Sequence, residues 1–209
     1  RGDYLRDIPK VVPPLEQALE ILLSQKESQK GNILYNNDLI TFTKYYLGQV
    51  SNWYLIKAYE SFRNKDKAGL DKNARIVDES LLGIQKILHT RKDYSLEETI
   101  KQAMEVKGAN TYLPEMIRKS AQNRDYLNQD NYEQLFYYRD MVDTYLAKLK
   151  SRLGRGEKTI SPSMLKYRWK KIGEKWVKTP FSPFKVEGKT VPVVTEVFKQ
   201  MKGYGRDIR

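Results

Sequence analysis

Apolar residues recur every three to four positions through the longest uninterrupted stretch of the chain, Tyr35 to Asp66. This spacing places them along one side of an α-helix, and no proline interrupts it. Asn36, Asn37 and Asp38 stand near its start, where short polar side chains accept hydrogen bonds from the free N–H groups of a first turn. We predict a helix on the order of 40 Å long, whose apolar side carries Leu39, Phe42, Tyr46, Val50, Trp53 and Ile56.

Similar patterns predict shorter helices before and after this one. Residues 1–12 read as an extended lead-in, and Pro13 and Pro14 suit the first turn of a helix that ends near Lys26. Later helices are predicted at about 71–90, 95–107, 113–127, from 130 or 131 to 154, from 161 through 176, and at about 191–201. Residues 179–188 contain two prolines and are predicted to form a loop.

These elements define the predicted fold class. Alternating apolar and polar residues, which indicate a strand, occur only in the short segment PFKVEGKTVPVV, whose prolines argue against a central strand. Short connections make consecutive helices antiparallel neighbours. We therefore predict an all-α antiparallel bundle of about seven or eight helices, forming a single domain over residues 1–209.

Two of the helices have more specific signatures. The helix at 71–90 has one apolar stripe, and Ser95 with Glu98 fits a capping box, in which each side chain accepts a hydrogen bond from the other residue's backbone N–H. The inward residues of the stripe are Ile76, Val77, Leu81, Ile84 and Leu88.

Composition narrows the class of protein. Forty per cent of the 209 residues are hydrophobic, which is typical of a folded chain, and no apolar run is long enough to span a membrane. The absence of cysteine excludes disulfides and thiolate metal sites. The chain starts at Arg1 without a methionine, so we expect a processed chain or part of a longer one.

The net charge of +12 is concentrated at one end of the chain. Residues 1–146 hold 21 basic and 21 acidic side chains, whereas residues 147–209 hold 17 and 5. Such an excess is typical of binding to nucleic acid, to an anionic surface or to an acidic neighbouring domain. A lysine-rich solvated surface has the same composition, and the sequence leaves these interpretations open.

Catalytic and metal-binding patterns are weak. His89 is the only histidine, and at the basic end of a helix it more often complements the helix dipole than it catalyses. Gly188-Lys189-Thr190 resembles the end of a phosphate loop, but the first glycine of that motif is replaced by Pro183. The carboxylates fit the wet faces of amphipathic helices: Asp78, Glu79, Glu97, Glu98, Asp140 and Asp143. We predict no metal and no cofactor.

Adjacent aromatic residues are more informative. Tyr45-Tyr46 and Tyr137-Tyr138 are sequential, so only one tyrosine of each pair can face a helix core squarely. The other can lie at a rim, where a flat apolar face stacks on a sugar or on a base. Ordinary packing at the edge of the core is the competing interpretation.

The order of several short motifs resembles one known family. An ALEILL helix is followed by Tyr35-Asn36-Asn37-Asp38-Leu39-Ile40, then by Asp78-Glu79-Ser80-Leu81-Leu82, and by Leu88-His89-Thr90-Arg91-Lys92. Near the end, Trp176-Val177 precedes two prolines and Gly188-Lys189-Thr190-Val191. Together these resemble the C-terminal helical domain of the α-N-acetylglucosaminidases, glycoside hydrolase family 89, over nearly the whole chain.

The resemblance implies where a sugar-binding wall would lie. In the family, a Leu-Trp-Gly segment lies near the sugar cleft, but the corresponding stretch here, residues 120–132, lacks its tryptophan and glycine. The resemblance points to Asn123, Arg124 and Tyr126 as the residues of the cleft wall. No catalytic residue carries over, because the family's two catalytic glutamates belong to an upstream (β/α)8 barrel, which needs roughly 250 residues of alternating strands and helices.

The implied function is therefore supportive. The domain would pack on the catalytic barrel of the same parent chain and wall its cleft for a glycan containing N-acetylglucosamine, in a secreted or periplasmic enzyme. The parent would cleave terminal α-linked N-acetylglucosamine by a retaining mechanism. Two alternatives remain open. One is a stand-alone basic helical module that binds a polyanion, with nucleic acid the less expected partner. The other is a purely structural interaction domain.

Overall fold

The computed structural model describes residues 3–106, 112–122 and 131–208. These residues form eight α-helices and one 3-10 turn, Lys92–Tyr94, with no strand among them. The helices are α1 (Asp3–Ser24), α2 (Ile33–Arg63), α3 (Lys67–Leu88), α4 (Leu96–Met104), α5 (Leu113–Gln122), α6 (Tyr132–Gly154), α7 (Ser163–Val177) and α8 (Thr190–Arg206). The predicted all-α bundle of seven or eight helices is confirmed.

The long helix α2 lies at the centre of the bundle. It packs most extensively on α3 and also contacts α1, α6 and α8. From Gly48 to Ser51 every residue is buried, because neighbouring helices cover all sides of this part of α2. Polar residues outside the predicted apolar side, Gln49 and Ser51, are therefore buried here as well.

The start of α2 differs from the sequence prediction. Its N-cap is Asn32, whose Oδ1 accepts hydrogen bonds from the backbone N–H groups of Leu34 (3.0 Å) and Tyr35 (3.3 Å). Asn36, the first cap residue predicted, therefore lies inside the helix. The earlier start is stabilised from outside α2, since the Tyr35 hydroxyl donates to the Leu22 carbonyl of α1 at 2.7 Å.

The predicted apolar side of α2 is only partly correct. Leu39, Tyr46 and Val50 are fully buried, but Phe42 is 39% exposed. Trp53 and Ile56 pack at the edge of the core. The buried face includes other residues that the predicted stripe did not contain, among them Thr43, Leu47, Tyr54, Ala58 and Phe62.

The N-terminal lead-in is helical, and the predicted extended conformation is wrong. Helix α1 starts at Asp3 and contains Pro9, Pro13 and Pro14. Proline φ is compatible with a helix, although each ring removes an N–H donor. Ile8 and Val12 are fully buried, so tertiary packing offsets the lost hydrogen bonds.

The predicted details of α3 and α4 compare well with the structure. All five inward residues predicted for α3 are completely buried. Ser95 caps α4, accepting from the N–H of Glu98 at 3.3 Å. The second half of the capping box does not form, because the N–H of Ser95 donates to the Lys92 carbonyl at 2.9 Å.

Two apolar clusters make up the interior. The larger joins α1, α2, α3, α6 and α8. A smaller one lies between α4, α5, α6 and α7, and its buried members are Leu96, Ile100, Ala121, Tyr137, Trp176 and Val177. Helix α6 contributes to both clusters and so connects the two parts of the fold.

No described helix combines the length and the apolar character needed to cross a bilayer.

Candidate functional site

A cleft of about 580 Å³ that carries polar and aromatic groups lies beside α6 and α7. Helices α6 and α7 form part of its wall, and the loop after α7, from Pro180 to Lys185, forms another part. We call it the aromatic cleft and define it by its five aromatic residues, which are Tyr132, Phe136, Tyr137, Trp176 and Phe184.

The aromatic rings of the cleft support one another. Tyr132 stacks on the imidazole of His89, with ring centroids 4.2 Å apart and planes at 14°. Phe184 meets Tyr132 at 5.5 Å, and Phe136 meets it edge-on at 5.1 Å. Phe136 is 42% exposed, so part of its aromatic surface is accessible to solvent. Its contact with the ring of Tyr132 holds this surface in position.

A buried ion pair lies at the base of the cleft. Arg118 of α5 pairs with Oε1 of Glu97 of α4, and their side chains are only 2% and 6% exposed. The second carboxylate oxygen of Glu97 accepts the backbone N–H of Ser182 at 3.2 Å. Since one carboxylate joins α4, α5 and the loop after α7, this pair positions that loop over the cleft.

Glu133 is also committed to structure. Its two carboxylate oxygens accept the Ser95 hydroxyl and the Leu96 N–H, both at 2.6 Å, which satisfies donors at the N-terminus of α4. Its backbone carbonyl accepts the indole N–H of Trp176 at 3.1 Å. Glu97 and Glu133 thus each accept hydrogen bonds from protein donors on both carboxylate oxygens.

His89 has a structural environment. It is the C-cap of α3, and its Nδ1 lies 3.2 Å from Oε2 of Glu187. The backbone N–H of Glu187 donates to the His89 carbonyl at 3.0 Å. Together with the stacked ring of Tyr132, these contacts attach the loop before α8 to the end of α3.

The predicted wall residues Asn123, Arg124 and Tyr126 lie outside the described residues. In the sequence, that stretch follows Gln122 at the end of α5 and precedes Asn131, the neighbour of Tyr132 of the cleft.

The paired tyrosines divide as expected. Tyr46 is fully buried and Tyr45 is 43% exposed. On α6, Tyr137 is buried and packs 5.3 Å from Trp176, whereas Tyr138 is partly buried. Only one tyrosine of each pair faces the core squarely.

Tyr138 lines a second cavity, an apolar groove of about 460 Å³ between α2, α6 and α7. Tyr145 lines it as well, and burial raises the pKa of its phenol to about 12. The sequence pattern did not reveal this groove, because one of its sides comes from α2, which is far from α6 and α7 in the chain. Its lining residues are Leu55, Ile56, Tyr59, Tyr138, Met141, Val142, Tyr145 and Trp169.

The Gly188-Lys189-Thr190 segment does not form a phosphate loop. It leads from the extended loop after α7 into α8, with no strand before it in the described part of the chain. The Thr190 hydroxyl is buried and lies 3.1 Å from that of Thr90. Within the described ranges, no three imidazole or carboxylate side chains are grouped so that they could hold a metal ion.

Comparison with known proteins is informative at the family level. The model of the alpha-N-acetylglucosaminidase (NAGLU) C-terminal domain matches residues 12–135, which is more than half of the chain. The match extends from α1 to the start of α6 and includes Glu97, Arg118 and Tyr132 of the cleft. No match is found among curated proteins. On this evidence the chain belongs to the α-N-acetylglucosaminidase C-terminal domain family, a group of helical domains associated with a glycosidase.

Proposed function

We propose that residues 1–209 form the C-terminal helical domain of an α-N-acetylglucosaminidase-like glycoside hydrolase. The domain packs on the catalytic barrel of the same parent chain, walls its sugar cleft and does not catalyse by itself. The observation that carries this proposal is the family match over residues 12–135. A secreted or periplasmic location is part of the same proposal.

The chemistry of the aromatic cleft supports a non-catalytic role. Glycoside hydrolysis requires two carboxyl groups that face each other across the scissile bond. Glu97 and Glu133 instead accept hydrogen bonds from Arg118, Ser182, Ser95 and Leu96. The carboxylates that perform the reaction are therefore assigned to the barrel.

The cleft is suited to contact with a sugar. The exposed part of Phe136 is a flat apolar surface on which the C–H face of a pyranose ring can stack. Asp140 and Lys175 line the same cleft and are exposed, so they can accept from and donate to sugar hydroxyls. We extend this wall to Asn123, Arg124 and Tyr126, which lie between two described segments that flank the cleft.

The apolar groove supports packing on another domain. It presents the rings of Tyr59, Tyr138 and Tyr145 and the indole of Trp169 at the surface. Apolar surface of this kind is stabilised by contact with a partner. We assign the groove to the contact with the barrel.

The activities of the full-length protein and of residues 1–209 alone test whether catalysis belongs to the barrel. We expect the full-length gene product to hydrolyse an aryl α-N-acetylglucosaminide, and we expect residues 1–209 alone to be inactive. Hydrolysis by the 209-residue chain would contradict the assignment of the catalytic carboxylates to the barrel. An inactive but folded full-length product would contradict the proposed glycosidase function.

Two matched variants of the full-length product test the wall. Phe136→Ala is expected to raise KM for the aryl glycoside, because it removes the stacking surface. Met164→Ala is the control, since Met164 is equally exposed at 42% and does not line the cleft. Equal KM values for the two variants would refute a contact between the cleft and the sugar.

A further inference from the structure

Helix α7 is the outer layer of the smaller apolar cluster. It packs against α5 and α6 through Leu165, Trp169, Ile172 and Trp176. Because a helix turns 100° per residue, the opposite side carries a different set of residues. That set, which we call the outward face, is exposed throughout and consists of Met164, Tyr167, Lys170, Lys171, Glu174 and Lys178.

The outward face and its flanks are strongly basic. Between residues 163 and 178 there are six basic residues, Lys166, Arg168, Lys170, Lys171, Lys175 and Lys178, and one acid, Glu174. Lys170 and Lys171 approach Glu174 at 3.7 and 3.4 Å. The remaining four have no ion-pair partner among the described residues. Folding therefore leaves this positive charge unneutralised.

Large apolar side chains are exposed on α7 and also in the loop that follows it. Tyr167 is 68% exposed, and Lys171 lies 5.7 Å from its ring. Met164, one turn earlier, is 42% exposed. In the loop that follows α7, Phe181 and Val186 are 36% and 52% exposed.

We propose that the outward face of α7 is a peripheral docking surface for an anionic lipid bilayer. Lysines on an exposed helix attract acidic headgroups. Aromatic and aliphatic side chains beside them can enter the boundary between headgroups and acyl chains.

Charge and shape favour a bilayer over other occupants. A second copy of the chain carries the same net charge of +12 and would be repelled. A single-stranded polyanion is typically bound in a groove, whereas Tyr167 and Lys171 lie outside both the aromatic cleft and the apolar groove. Exposed Met164 suits acyl chains and contributes nothing to contact with phosphates.

This docking surface is independent of the proposed glycosidase role. The residues of the outward face lie outside the part of the chain that matches the family model, and none of them lines the aromatic cleft or the apolar groove. Absence of hydrolysis in the parent would therefore leave the docking surface unaffected, and absence of lipid binding would leave the glycosidase role unaffected.

Co-sedimentation with lipid vesicles tests the proposal on residues 1–209 as they stand. Vesicles of equimolar phosphatidylglycerol and phosphatidylcholine should sediment the protein at about 0.1 M salt, and they should release most of it at about 1 M, where screening is severe. Pure phosphatidylcholine vesicles should not sediment it. Failure to sediment with the anionic vesicles at low salt would overturn the proposal.

Charge variants locate the binding surface. The double variant Lys171→Gln, Lys178→Gln should weaken partitioning roughly 30-fold, from about 1 kcal/mol for each basic residue near an anionic surface. Lys72→Gln with Lys86→Gln is the matched control, because it removes two exposed charges from α3 instead. Far-UV circular dichroism verifies that both doubles are folded. Equal weakening by the two doubles would show an effect of net charge alone and would overturn the assignment to α7.

A third variant separates a bilayer from other polyanions. Tyr167→Ser should weaken vesicle binding several-fold while it leaves all charges in place. If the protein binds duplex DNA as tightly as the vesicles, and Tyr167→Ser changes neither affinity, the surface is a general polyanion site and the lipid proposal is wrong.

Discussion

Gly83 shows how a single residue sets the spacing of three helices. It lies in α3, and a Cβ added there would be 2.8 Å from Cγ1 of Val197 in α8 and 3.2 Å from Cδ1 of Leu47 in α2. Neither neighbour can move freely, because both side chains are fully or almost fully buried. Only a hydrogen at this position lets the three helices pack as closely as they do.

We predict opposite effects for alanine at two glycines. Gly83→Ala should lower the free energy of unfolding by about 1–3 kcal/mol, since it overpacks the core. Gly203→Ala is the control and should raise it by about 0.5–1 kcal/mol, because a Cβ at that helical position meets nothing within 4 Å. Urea unfolding measures both. Equal effects of the same sign would contradict the packing described for Gly83.

Tyr54 predicts a loss of stability at high pH. Burial, together with the carboxylate of Asp207, raises the pKa of this phenol from 10.0 to about 12. Between these values the unfolded chain loses the proton first, so the contribution of Tyr54 is complete below pH 10 and declines as the pH rises toward 12.

The measurement is the urea midpoint as a function of pH above 9 for the unsubstituted chain and for Tyr54→Phe. The variant should show a shallower alkaline decline. At neutral pH the substitution should lower the free energy of unfolding by about 1 kcal/mol, because it removes the hydrogen bond to the Tyr204 carbonyl at 3.2 Å. Tyr167→Phe, at a site 68% exposed, is the control, and its urea midpoint should fall with pH as steeply as that of the unsubstituted chain. An unchanged slope in Tyr54→Phe would refute the prediction.

At the scale of elements, α1 shows how packing overrides local signals. Pro9, Pro13 and Pro14 favour an early stop or a late start of a helix, and the sequence pattern predicted an extended chain up to residue 12. Ile8, Val12 and Leu19 nevertheless share one face, and each is buried against the bundle. The apolar period of 3.6 continues through the prolines, and this continuity was the available signal.

The helical lead-in makes a prediction that an extended one does not. Ile8→Ala should lower the free energy of unfolding by about 2–5 kcal/mol, the usual cost for a large buried aliphatic side chain. Lys10→Ala, on the exposed side of the same helix, should change it by less than about 0.5 kcal/mol. Chemical unfolding of both variants decides the point, and similar small effects would favour an unpacked N-terminus.

Some helix boundaries and buried faces have local causes, and others depend on contacts between helices. Ser95 was identified as a cap because its partner, the N–H of Glu98, is three residues away. Asn32 was missed as the cap of α2, because three polar residues near Asn36 give the same local signal and the tyrosine bond to α1 is invisible in sequence. Local causes were predictable, and contacts between helices were not.

At the scale of the molecule, the two apolar clusters imply two levels of stability. The larger cluster buries residues from five helices, and more than half of them come from α2 and α3. The smaller one has six buried residues in the described part of the chain. Local opening requires less free energy where less apolar surface is buried.

We therefore expect amide hydrogen exchange to be faster in α4, α5 and α7 than in α2 and α3. Trp176→Ala should accelerate exchange further in the first group and leave α2 and α3 nearly unchanged, since Trp176 belongs to the smaller cluster. Mass spectrometry of peptide fragments measures both groups. Uniform exchange along the chain would show that the two clusters open as one unit.

Local patterns in the amino-acid sequence were sufficient to predict the helical class, the inward stripe of α3, the cap of α4 and the family of the chain. These features depend on periodicity and on motifs within a few residues, which persist in any compact arrangement of the helices. The tertiary structure decided the helical course of residues 3–12, the complete burial of mid-α2 and the contents of the aromatic cleft.

The cleft illustrates the physical reason for this division. Glu97, Arg118 and Ser182 are separated by 21 and 64 positions and carry no local signal that links them. Their contact exists because α4, α5 and the loop after α7 meet around one small apolar cluster, where a buried charge must find a partner. The same packing turns the cationic side of α7 outward, and it thereby converts a compositional excess of lysine into a defined surface.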